Sequence, residues 1–390
     1  MNLNRKRGCI AVTLMLAMFF LASIFALHGA LLTNIIEHFQ LESSAQGLPS
    51  SFAFAGSCAA LVASFAVIGR ISRIRLLTIS VCGGAILLVL LAFAPTFATY
   101  LIVWLLVGVA LGFLDTLLSS TMATLYSGQT ATRMMCTMHM LYGVGSMVMP
   151  PVYAWAMRKG VAWNRIYLIT AMLGAVTFLA LVICSRGSEP LFPKTEPRFS
   201  YSLLKTLLGK GVLPLLMIAD FCNGIFMGAA TTWLNRYVEL TIDVSLGDLA
   251  LSFLFLGVLA SRLLLPMMKI DPKRYLVFAG PSAFLVFLMV ILNPARITIC
   301  VGIALAGLLL GAMIPCMLDF GCATFPENTM LITTPMFLAY YIGQTLGSPM
   351  VGYLENHVSL AFGIGTSTAF LAVNSFFCLL AKRRFEKSAD

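Results

Sequence analysis

The chain has 390 residues, of which 60% are apolar and only 10% charged, against roughly 25% charged in an average soluble domain. So few charges cannot cover a water-facing surface, which excludes a soluble enzyme or soluble binding module and sets most of the chain against lipid or other buried helices. The formal net charge of +10 raises nucleic acid as a partner, and the placement of the basic residues removes it.

The N-terminus opens with Arg5-Lys6-Arg7 and an apolar stretch from about Cys9 to Ile36. That stretch is longer than the 7–15 residues of a signal-peptide core, so it reads as a first membrane span that is retained. A span needs about 20 apolar residues, and twelve are predicted: about 9–38, 47–69, 74–95, 97–127, 132–157, 162–185, 211–238, 246–268, 273–293, 296–321, 328–354 and 358–381. The breaks fall on turn or charge signals: Glu42-Ser43-Ser44, Arg70 to Arg75, Pro95, Gln129 to Arg133, Lys159-Gly160, Asp271-Pro272, Asn293-Pro294 and Pro326-Glu327-Asn328. One long polar segment, about 186–210, holds Gly187, Pro190, Pro193, Pro197 and five basic residues. The expected organisation is an N-terminal six-helix bundle over 1–186, a cytoplasmic linker over 187–210 and a C-terminal six-helix bundle over 211–390.

With the N-terminus in the cytoplasm, 19 of the 25 Lys and Arg residues fall on the cytoplasmic side. Arg158, Lys159, Arg165, Arg236 and Arg296 fall outside, and Arg262 lies within a span. This is the positive-inside pattern. It explains the net charge as topology, leaves no role for nucleic acid, and predicts both termini in the cytoplasm of a bacterial inner membrane. The ten cysteines stand singly, without zinc-ligand spacing, and read as small buried hydrophobes.

The two halves repeat at one offset. Gly29 and Gly228, Thr33 and Thr232, Pro95 and Pro294, Gly108 and Gly307, Gly112 and Gly311, and Tyr142 and Tyr341 are each 199 residues apart. Six spans per half give the halves parallel orientation. The fold class is therefore an all-α membrane protein of 12 transmembrane helices in two six-helix halves, which resembles the major facilitator architecture. Gly108 and Gly112 read as packing positions where helices approach closely.

Ionisable residues within spans are few, and each costs roughly 2.5–3.5 kcal/mol on insertion scales. Asp115 lies about 17 residues into span 4, with Ser119 one turn on and Thr116, Ser120 and Thr124 in a stripe beside it. It reads as a protonatable carboxylate on a wet helix face, with a structural hydrogen bond to a neighbouring helix as the alternative. Asp220 in span 7 and Arg262 in span 8 match in depth within about 3 Å at 1.5 Å per residue, which predicts a structural or gating ion pair. Asp319 in span 10 competes for the same arginine. His28 and His139 are the histidines within spans; either relays protons or simply makes a hydrogen bond. Cavity-lining candidates are Asn34, Ser119, Tyr142, Asn223, Trp233, Asn235, Tyr340, Tyr341, Gln344 and Asn374, although a Trp or Tyr at a span end also serves as a belt residue.

No Walker A loop, paired metal ligands or nucleophile–base motif is present, so no cofactor, metal or catalytic residue is expected and the chain reads as no enzyme. Span 4 reads Gly112-Phe-Leu-Asp-Thr-Leu-Leu-Ser119. Span 5 reads Met138-His139-Met140-Leu141-Tyr142-Gly143-Val144-Gly145, with Pro150 following. These two stretches resemble the span-4 acidic pattern and the span-5 Leu-His-x-x-Tyr/Phe-Gly-x-Gly signature of the fucose–proton symporter family of the major facilitator superfamily. The resemblance implies that Asp115 stands in the substrate and proton cavity, and that a sugar or similar small polar solute enters with protons. The expected partners are a small-molecule solute, protons and membrane lipid, acting on a monomer. The alternatives are a proton-antiport exporter of amphipathic compounds and a non-transporting membrane receptor or scaffold.

Overall fold

The computed structural model describes residues 3–67, 70–126, 128–187, 201–209, 211–268, 270–324 and 329–389. The element order is α1 (Leu3–Ala30), α2 (Leu32–Phe39), α3 (Ser43–Gln46), α4 (Leu48–Val67), α5 (Arg73–Ala92), α6 (Phe97–Leu125), α7 (Gly128–Arg158) and α8 (Trp163–Ser185). It continues with α9 (Tyr201–Gly209), α10 (Val212–Thr241), α11 (Val244–Met268), α12 (Pro272–Leu292), α13 (Arg296–Leu310), α14 (Met313–Thr324), α15 (Thr329–His357) and α16 (Leu360–Ala389). The elements among the described residues are all helices, as expected from the sequence. Ten helices among the described residues are long and apolar enough to cross a membrane. The two further long helices, α7 and α15, have 31 and 29 residues. They are repeat mates, and both are diluted by polar residues, glycine and proline; Pro150 and Pro349 add a further match at the 199-residue offset.

The helix boundaries follow local chemistry. Thr96 caps α6 by accepting from the Thr99 N–H at 3.2 Å. Asp271 caps α12 through the Lys273 N–H at 3.2 Å, with Pro272 at the first helical position, where its missing N–H is not needed. The structure departs from the expected limits at several points. Span 1 is interrupted at Leu31, giving α1 and α2. The polar residues Gln129 to Arg133, expected as a break, form the first turns of α7. The linker contains a helix, α9, while residues 188–200 and 210 of it lie outside the described residues.

The interruption of span 10 between α13 and α14 has a clear cause. Pro315 has no N–H to offer the carbonyl of Gly311, four residues before it. That carbonyl is met instead by Arg262 Nε of α11 at 3.1 Å.

Chain contacts divide the protein into one unit of Met1–Leu27 with Phe52–Arg198 and a second of His28–Ser51 with Phe199–Asp390. The second unit takes the end of span 1 and the start of span 2 for visible reasons. Thr33 donates to Glu239 at 2.9 Å and Thr232 donates to Ser50 at 2.7 Å. A Cβ on Gly47 would stand 2.7 Å from the Ser348 backbone. Within this unit α10 and α15 interlock through four glycines. Gly224 and Gly228 lie against the backbone of Tyr340 and Gln344, and Gly343 and Gly347 against Phe221 and Ile225. Lipid offers no hydrophobic drive between helices, so such backbone approach holds them together. The outer faces remain apolar, with Ile79, Ile86 and Leu90 of α5 and Met172, Val176 and Ile183 of α8 exposed, as contact with hydrocarbon requires. No disulfide forms among the described cysteines.

Candidate functional site

In the first unit the site is built on α6. Its glycine face is seated on α4: a Cβ on Gly108 would stand 1.8 Å from the Ala53 oxygen, and one on Gly112 2.8 Å from the Ser57 oxygen. Ser57 Oγ reinforces the seat by donating to the Gly108 carbonyl at 3.0 Å. These glycines are packing positions, and the equivalent pair in the second half acts alike, with Gly307 against Leu254 and Gly311 against Val258.

The polar residues beyond the glycines divide into two sets. Thr116 donates to Gly112 O at 3.0 Å, Ser120 to Leu117 O at 3.3 Å and Thr124 to Ser120 O at 2.9 Å. These hydroxyls are spent on their own helix, and Arg73 Nη1 adds bonds to Ser120 O, at 2.7 Å, and to Thr124 Oγ1. The expected wet stripe is therefore largely self-satisfied. Ser119 differs, because its Oγ lies 3.4 Å from His139 Nε2 on α7. Asp115 stands one turn before Ser119 and is, like it, only partly buried. Tyr142, three residues after His139, meets the ring of Phe25 edge-on at 6.4 Å, and Phe25 stacks on Phe54 at 5.8 Å. Gly145 brings α7 onto Phe19 and Ala22 of α1. The structure thus gathers Ser119, His139 and Tyr142 on α6 and α7, with Asp115 one turn away and an aromatic wall beside them.

The second unit places the other candidates differently. Trp233 is fully buried, and its indole N–H donates to the Ser348 carbonyl at 2.9 Å. Tyr341, Gln344 and Asn223 are buried at 5%, 5% and 3% exposure, and His28 at 4%. Asn235 accepts from the Leu251 N–H at 3.0 Å, and Asn374 donates to the Ala219 carbonyl at 2.6 Å, so both amides join helices. Asn34 and Tyr340 are partly buried, and Asp319 is exposed on α14.

The expected Asp220–Arg262 pair does not form. Arg262 is drawn to the carbonyl that Pro315 orphans. Asp220 is 2% exposed, with Oδ1 lacking a hydrogen-bond partner and no ion pair among the described residues. Similar depth along two helices does not fix which way each side chain turns. Sequence reading also missed the Ser119–His139 contact and the Thr33–Glu239 contact. Each joins residues far apart in the chain, and neither carries a local pattern that signals it.

Apolar helices long enough to cross a membrane, seated on one another by glycine within each unit, define a multi-span membrane protein. Residues 14–333 match the Major Facilitator Superfamily, and the chain belongs to it. It is a transporter, not an enzyme. The chain is similar in fold to a bacterial homolog of the human lysosomal transporter Spinster, solved in inward-facing conformations. The unoccupied form superposes at a TM-score of 0.70 with 15% identity, covering 98% of each chain. The occupied form gives 0.71 with 14% identity, over 99% of this chain and 98% of that one. No curated protein sequence matches the chain.

Proposed function

We propose that the protein is a proton-coupled symporter that takes up a small polar solute, of the sugar type, by alternating access, with both termini in the cytoplasm. The observation that carries this reading is the Ser119–His139 contact at 3.4 Å with Asp115 one turn before it on α6. A carboxylate, a hydroxyl and an imidazole on adjoining helix faces can hold a proton and pass it on. The same groups, with Tyr142 and the Phe25 ring, suit a solute that needs hydroxyl hydrogen bonds and ring stacking. The span-4 and span-5 resemblance to fucose–proton symporters supports the sugar class. Asp115 is the proton acceptor in this reading, and His139 assists it. The repeat strengthens the choice. Gly108 and Gly112 recur as Gly307 and Gly311, while Asp115 corresponds to Ile314, so the scaffold is duplicated and the charge is not.

The test is solute uptake and proton flux in proteoliposomes. External alkalinisation on adding a sugar supports symport; proton release on adding a lipophilic cation would instead support antiport export. Asp115→Asn is expected to abolish accumulation against a gradient while leaving the protein folded. Normal concentrative uptake by this variant would remove Asp115 from the coupling step.

A further inference from the structure

Asp220 has been left without the role the sequence suggested for it. It sits on α10, nine residues into the helix, with 2% exposure. Its Oδ1 is buried without a hydrogen-bond partner. The polar side chain of α16 that meets the neighbouring Ala219 is committed elsewhere. Asn374 of α16 gives its amide N–H to the Ala219 carbonyl at 2.6 Å and approaches Met317 Sδ of α14 at 3.5 Å. Its Oδ1 lies 3.8 Å from the Cys378 thiol, which approaches as donor. Among the described residues no charged side chain forms an ion pair with Asp220, neither Arg262 of α11 nor Lys382 of α16.

An ionised carboxylate here would be a buried charge with neither counter-ion nor hydrogen-bond donor among the described residues. Such a charge is far more costly to bury than the neutral acid, and a group so placed neutralises instead. Arg262 could have supplied the counter-ion, and its guanidinium is held by the helix break at Gly311. The place in the repeat is also telling. The position 199 residues before Asp220 is Leu21, just as Asp115 corresponds to Ile314. Each half carries an acid within a span that the other half does not.

We propose that Asp220 is a second proton-binding site of the carrier, holding a proton in the conformation seen here and releasing it when rearrangement of α10, α14 and α16 admits water. The holding of the proton stands on the geometry alone; its release during transport rests on the proton-coupled reading above.

Infrared spectroscopy of the purified protein in lipid tests the first part without any transport. The wild type is expected to show a protonated-carboxyl band at pH 7 that shifts in deuterated water. Asp220→Asn should remove that band, Asp220→Glu should move it, and Asp115→Asn should retain it. Because Asn replaces a neutral acid by a neutral amide, Asp220→Asn should melt close to the wild type. A wild type with no such band at pH 7, or a band that survives both Asp220 substitutions unchanged, overturns the proposal. Uptake against pH tests the second part. Asp220→Asn should flatten the profile between pH 5 and pH 8, and an unaltered profile overturns a transport role for this proton. If Asp115→Asn concentrates solute normally while the band still depends on Asp220, the Asp115 reading fails and the Asp220 site stands.

Discussion

Substituting Gly108 by Ala tests how the scaffold holds Asp115 in place. The added methyl would stand 1.8 Å from the Ala53 oxygen, 2.6 Å from its carbonyl carbon and 2.8 Å from its Cα, all backbone atoms that no rotamer change can move. Ordinary van der Waals contact begins near 3.4 Å, so α4 and α6 must separate locally by about 1.6 Å, the difference between those two distances. Overpacking of this kind costs about 1–3 kcal/mol. The separation also strains the Ser57 hydrogen bond to Gly108 O, worth about 1 kcal/mol. Better helix propensity offsets about 1 kcal/mol, leaving Gly108→Ala destabilised by about 1–3 kcal/mol. Gly83→Ala is the control. Gly83 lies within α5 with nothing within 4 Å of its added Cβ, so the same change should stabilise by up to about 1 kcal/mol. Thermal unfolding of both variants in one detergent gives the ranking Gly83→Ala above wild type above Gly108→Ala. If Gly108→Ala melts as high as Gly83→Ala, the backbone seating of α6 on α4 is not what the distances indicate. Transport gives a second readout, because displacement of a binding group by about 1 Å can lower turnover about 100-fold, and α6 carries Asp115, the proposed proton acceptor, seven residues on.

Two further predictions follow from the helix break and from the loop after α10. Arg262→Ala should lose about 1–3 kcal/mol by leaving Gly311 O unsatisfied. Pro315→Ala in that background should recover part of the loss by restoring an N–H, whereas Asp220→Ala should add to it independently; a cycle in which Asp220 couples to Arg262 and Pro315 does not would refute this account. Asp243, in the loop between α10 and α11, accepts from the Ser245 hydroxyl at 2.6 Å and the Leu246 N–H at 2.9 Å and pairs with Arg296. The Ser245 bond foremost, then the Leu246 bond and Arg296, hold its carboxyl below the ordinary value of 3.8. A depressed carboxyl stabilises the fold above its unfolded value, and that stability is lost as pH falls through the folded one. Asp243→Asn should therefore lower the melting temperature at pH 7 and converge with the wild type as the pH drops below 3.8. Equal melting at both pH values would show that the cluster contributes nothing.

The class of the molecule was legible in the sequence because it rests on counts and periods. Charge content, span length and the one-sided placement of Lys and Arg follow from the solvent a segment must meet. The glycine pairs at the 199-residue offset follow from the need for close helix approach in each half. The boundaries at Pro95, Asp271-Pro272 and Asn293-Pro294 follow from proline and capping chemistry. What could not be read were the partners of polar side chains in different helices. Asp220 and Arg262 match in depth, yet depth leaves the rotation of each helix free. A proline four residues beyond Gly311 creates a vacant carbonyl, and that carbonyl, not the aspartate, receives the guanidinium. Thr116, Ser120 and Thr124 look like a cavity face from their spacing, but a hydroxyl one turn below its own helix carbonyl is satisfied there first. Ser119 has the same chemistry and reaches His139 because of where α7 passes. The sequence alone determined an all-helical membrane protein of twelve spans with Asp115 within span 4. Only the tertiary structure decided that Ser119 reaches His139, and that Asp220 has no counter-ion among the described residues, because those outcomes depend on the rotation and crossing of helices that no linear pattern encodes.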